Sequence, residues 1–72
     1  MMKRFTATIE AEGDLFVSRC IELDIVSQGD TRETALANLR EAVELFLETA
    51  SALEIENRLN NGAFVAALDI AA

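Results

Sequence analysis

The stretch "SQGDTRETAL", Ser27 to Leu36, is where the chain changes its hydrophobic period. Upstream of it, apolar and polar residues alternate, the pattern of half-buried strands. Downstream, apolar residues recur every three or four positions, the pattern of an amphipathic helix. A glycine, an acid and a threonine stand together at the junction, so the stretch reads as a hinge between strand and helix. Gly29 supplies backbone freedom at the bend. Asp30 and Thr31 are both candidate N-caps: Asp30 and Glu33 have capping-box spacing, whereas Thr31 and Thr34 lack the acid.

Working outward towards the N-terminus, "LDIVSQ" gives a short strand that ends at Gly29. Before it, Leu15 to Ile21 reads as a strand with Leu15, Val17 and Ile21 on one side and Phe16, Ser18 and Cys20 on the other. Both sides carry apolar groups, which predicts a central strand. Gly13-Asp14 forms a tight turn back to a first strand, in which Phe5, Ala7, Ile9 and Ala11 alternate with polar residues.

Towards the C-terminus, Leu36, Leu39, Val43, Phe46, Leu47 and Ala50 form one helical stripe. "SALE", Ser51 to Glu54, has the spacing of a second capping box. It predicts a short second helix with Ala52, Ile55 and Leu59 on one side. Asn60-Asn61-Gly62 would stop that helix in a left-handed turn. The same asparagine-glycine pair also permits a hairpin instead of a helix. "AFVAALDI", Ala63 to Ile70, reads as a fourth strand. The order is β-β-β-α-α-β, a single two-layer α+β domain over residues 1–72. Its sheet is mostly antiparallel, and the last strand runs parallel to the first.

Composition narrows the function. The chain has 72 residues, of which 51% are hydrophobic. That is a high share for a domain with so little interior. Apolar surface left outside the core predicts a homodimer or higher homo-oligomer. There are 13 acidic against 6 basic side chains, a net charge of −7. This balance argues against nucleic acid and anionic membrane surfaces, and favours a basic protein partner. No run reaches the ~18 apolar residues of a membrane span, and "MMKRFTATIE" lacks the apolar core of a signal peptide. A cytoplasmic protein is expected.

Catalytic chemistry finds little support. With no histidine and one cysteine, a Cys/His zinc site is ruled out. Ser18 and Ser27 have no histidine to activate them, and Cys20 reads as a buried thiol. A phosphate cradle at Gly29 would place Asp30 against the anion. A metal-dependent nuclease would draw on Glu10, Glu22, Asp24, Glu44, Glu48 and Asp69, but these acids are scattered along the sequence. No catalytic residue, cofactor site or metal site is expected.

One longer match adds to this reading. "CIELDIVSQGDTRETALANLREAVELFLETAS", Cys20 to Ser51, resembles the HicB-like antitoxin family. In that family a strand ending near "PEL" runs through "SQGDT" into a helix of the "EALANLREALELFLE" type. "ASALEIENRLNNGAFVAALDI" resembles the tail of a short subgroup. Ile21 stands where the family usually has proline. The resemblance implies a truncated RNase H-like fold in which the second helix is a helix and the fourth strand lies beside the first. It implies no catalysis. It implies instead a module that binds and blocks a small basic RNase toxin of the HicA type. The C-terminal DNA-binding domain of longer members has no counterpart here, so operator binding is not expected. An alternative is an orphan self-assembling domain. For a basic partner, the exposed acids at strand ends, Asp14, Glu22 and Asp24, are the candidate contacts.

Overall fold

The computed structural model describes residues 4–61 and 66–71. Three strands and two helices follow in order: β1 (Ala7–Glu12), β2 (Leu15–Cys20), β3 (Ile25–Gly29), α1 (Arg32–Thr49) and α2 (Ala52–Asn61). The strands form one antiparallel sheet in the order β1-β2-β3, with β2 in the centre as its two apolar sides predict. The α+β class and the β-β-β-α-α order therefore hold.

Short turns fix the register. Glu12 pairs with Leu15 across Gly13-Asp14, and Gly13 takes φ +61°. A glycine at positive φ in the first central position is the requirement of a type II′ hairpin. The β2–β3 turn closes Cys20 onto Ile25. Its last residue, Asp24, sits at φ +53°, a left-handed conformation that aspartate tolerates better than most residues. The Asp24 carboxylate accepts a 2.7 Å hydrogen bond from Arg19 Nη1. Sequence periodicity began the third strand at Leu23. In the structure Leu23 and Asp24 belong to the turn, and Leu23 is fully buried.

The hinge reading of Ser27 to Leu36 holds, with two changes of detail. Thr31 is the N-cap of α1: its Oγ1 accepts from the Thr34 N–H at 3.0 Å. The acid of the capping-box pair, Glu33, lies in the first turn, where it suits the helix dipole. Gly29 has a steric role and not the conformational one expected of it. Its φ lies outside the left-handed region, but a Cβ there would meet the Ala35 nitrogen at 2.5 Å and the Thr34 carbonyl carbon at 2.8 Å. The end of β3 and the start of α1 touch backbone to backbone.

That contact sets α1 down on one face of the sheet. Ala35, Leu39 and Val43 are its buried residues. Leu39 and Val43 join Cys20 and Leu23 in the core, with Phe5, Ile25, Phe46 and Leu47 packed around them. Leu36, assigned to the buried stripe from its spacing, is 46% exposed, and Ala35 takes the place against the sheet. Ser18, fully buried on β2, donates a 2.8 Å hydrogen bond to the Ala35 carbonyl. A buried hydroxyl is tolerated because it is bonded.

The second helix is a helix, so the hairpin alternative fails. Ser51 Oγ accepts from the Glu54 N–H at 3.1 Å, as the "SALE" spacing predicts. Of its expected apolar side, only Ile55 is half-buried, while Ala52 and Leu59 are exposed. The proposed stop at Gly62 lies outside the described residues. The predicted fourth strand does so in part: residues 63–65 are outside them, and 66–71 carry no strand. The sheet has three strands among the described residues.

Candidate functional site

The expected contact acids are not brought together. Asp14 is exposed at the β1–β2 turn, while Glu22 and Asp24 lie in the turn at the other end of β2. Six strand residues at ~3.3 Å each put about 20 Å between the two turns. Asp24 is held by Arg19, as described above. Glu22 is held more firmly. The Thr6 N–H donates to its Oε1 at 2.7 Å, and the Thr6 hydroxyl donates to its Oε2 at 2.7 Å. Together with the Ile21 N–H to Thr6 carbonyl bond, these contacts clamp the start of the β1 edge to the β2–β3 turn.

The clamp is pH-dependent. Burial pushes the Glu22 carboxyl up, but the hydrogen bonds from Thr6 outweigh it and hold the group below its ordinary value. A depressed folded-state pKa stabilises the fold above the unfolded pKa and loses that contribution as pH falls through the folded value. Glu22→Gln is therefore expected to cost about 1 kcal/mol at pH 7, the scale of a partly exposed charged hydrogen bond. The difference from the wild type should shrink to nothing in acid. Urea melts at pH 7 and pH 3 check this.

Cys20 is buried, and burial pushes its thiol above the ordinary value, with the Glu22 charge adding to the effect. Its S–H lies 3.9 Å from Glu22 Oε1. A buried, protonated thiol is a poor nucleophile. Iodoacetamide at pH 8 should label it at least tenfold more slowly in the native protein than in 6 M urea, in proportion to the thiolate exposed.

A cleft opens between the start of β1, at Phe5, Thr6 and Ala7, and one flank of α1. It has a volume of about 380 Å³ and is walled by Phe5, Leu36, Leu39, Val43 and Leu47, with Arg40 and Glu44 at its rim. Its residues on α1 are spaced three and four apart and define the flank of the helix that faces β1. The opposite flank faces β3, where Asn38 Nδ2 donates to the Gln28 carbonyl at 2.8 Å. Phe46 stands between these flanks, with the Arg58 guanidinium 5.0 Å above its ring. The same Arg58 donates to the Leu23 carbonyl at 2.9 Å, which ties α2 to the β2–β3 turn.

The edge beside the cleft is unoccupied by any strand among the described residues. The Ile21–Thr6 bond makes Thr6 and Ile21 a hydrogen-bonded pair, and such pairs alternate along an antiparallel ladder. The backbone groups of Ala7, Ile9 and Ala11 therefore point away from β2. An unpaired edge beside an apolar cleft is a template for an added strand. Spacing alone did not reveal this site. Leu36 was assigned to the core by its periodicity, and Arg58 carries no motif.

Among the described residues no three His, Cys, Asp or Glu side chains gather as a metal-ion set, and no helix is long and apolar enough to cross a membrane. Compared with protein-family models, curated proteins and solved structures, the chain matches none.

Proposed function

We propose that this chain is a HicB-like, antitoxin-type binding module that neutralises a small basic RNase of the HicA type by direct contact. The observation that carries the reading is an acidic surface on a fold with apolar groups left outside its core. There are 13 acids against 6 bases, and Val26, Leu53, Leu59, Leu68 and Ile70 stand exposed. Such a surface speeds encounter with a cationic protein and offers it apolar area once docked. The module acts by occupancy in the cytosol and turns over no substrate. Asp14, Glu22 and Asp24 steer the approach from both ends of the sheet.

The same reading completes the fold. Residues 66–70 supply a fourth strand, parallel to β1 on its outer edge, and the sheet becomes that of a truncated RNase H-like layer. Leu68 and Ile70 alternate with Ala67 and Asp69, which suits a strand with one apolar side.

Co-expression tests the function. A HicA-type RNase encoded beside this gene should arrest growth when expressed alone and cease to do so when this chain is present. Continued arrest, with no complex on affinity capture, would overturn the reading. A second reading, a self-assembling domain without a toxin, is favoured by the unfilled cleft and the exposed apolar tail.

A further inference from the structure

We propose that the cleft beside β1 is filled by the C-terminal segment of a second copy of this chain, each copy lending its residues 66–70 to the other. The inference rests on the fourth-strand reading above and assigns that strand to a partner molecule.

The segment and the cleft match in chemistry. Leu68 and Ile70 are 83% and 74% exposed, which is costly for two large aliphatic side chains. Laid parallel to β1, they would project into the walls made by Leu36, Val43 and Leu47, while their backbone meets the outward groups of Ala7, Ile9 and Ala11. The rim carries one cation and one anion, Arg40 and Glu44, so the molecule's net negative charge is not concentrated where the copies meet.

The placement of α2 favours exchange over a fold-back. The cleft lies on the β1 flank of α1. Helix α2 is tethered by Arg58 to the Leu23 carbonyl and the Phe46 ring, neither of which lines the cleft. Residues 66–71 do not line the cleft of their own chain. The radius of gyration is 13.8 Å, against about 11 Å for a compact domain of this length, so the molecule is drawn out. One seated strand is a small contact beside the ~1,000 Å² of a specific interface, and reciprocal exchange doubles it around a twofold axis.

A cysteine pair distinguishes the two arrangements. In full-length protein carrying Leu36→Cys and Ile70→Cys, mild oxidation should give a covalent dimer that runs at twice the monomer mass on non-reducing gels. Each single variant gives the background, and the buried Cys20 is common to all three. A disulfide-closed monomer would overturn the exchange while leaving the fourth-strand reading intact. Absence of any disulfide would overturn both. Sedimentation provides the second test. The wild type should sediment as a dimer at 50 µM, and Leu68→Asp with Ile70→Asp, both on exposed positions, should shift it to monomer with its circular dichroism unchanged. A wild type that is monomeric at that concentration would also overturn the exchange. Neither result depends on a toxin, so failure of the antitoxin reading is registered separately.

Discussion

Gly29→Ala is expected to destabilise the domain by about 3 kcal/mol, at the upper end of the range for overpacking a close contact. For a domain this small, that lowers the melting temperature by roughly 15 °C. The added methyl would lie 2.5 to 2.9 Å from backbone atoms of Thr34 and Ala35. Backbone cannot swing aside as a side-chain tip can. The helix must lift from the sheet, and lifting it stretches the Ser18 to Ala35 hydrogen bond in the same region. Gly13 makes the control. Nothing lies within 4 Å of a Cβ there, and its constraint is a positive φ. Gly13→Asn should cost about 1 kcal/mol, less than the loss at Gly29, because the first central position of a type II′ turn favours glycine by torsion alone and nothing is there to clash. Gly29→Asn should be at least as damaging as Gly29→Ala. Thermal melts of the three variants separate a steric glycine from a conformational one. Equal losses at both sites would contradict the contact.

Leu23→Ala should cost about 3 kcal/mol as well, within the range for leucine truncations in packed cores. Leu23 sits in a turn, where such losses are unusual. It is fully buried, contacts the cluster of Cys20, Leu39 and Val43, and its carbonyl receives Arg58. Truncation leaves a cavity beneath α1 and disturbs the tether of α2. Leu45→Ala is the matched control, since Leu45 is 59% exposed on α1. It should change stability by less than about 0.5 kcal/mol. Chemical denaturation of both variants checks the prediction, and similar midpoints would show that the turn leucine carries no packing.

These residues also mark what the sequence made legible. Apolar residues on both sides of Leu15 to Cys20 identified the central strand, although α1 covers only the side of Ser18 and Cys20. The Gly13-Asp14 pair and the change of period after Ser27 located a turn and a helix start, both local events governed by local chemistry. Leu23 escaped because a four-residue turn that folds under a helix is decided by tertiary packing, and no periodicity announces it. Leu36 was misassigned for the complementary reason. Helical spacing defines a stripe but not which part of its width the sheet covers, and here the sheet ends at β1. The role of Gly29 was misjudged because a composition of glycine, acid and threonine looks the same whether the glycine serves torsion or clearance. The acids Asp14, Glu22 and Asp24 were found by type, but their distribution over two ends of the sheet needed the register.

The order β1-β2-β3 pairs each strand with its neighbour in sequence, through connections of two and four residues, and α1 then covers the sheet. Nothing in this nucleus waits for a distant part of the chain. Relative contact order is low for a sheet-containing protein, and folding within milliseconds is expected. During synthesis, the strands and α1 emerge ahead of the segment that carries Leu68 and Ile70, and nothing in their pairing requires it. The tail thus emerges onto a finished surface, and what it finds first depends on how many other chains are being made nearby.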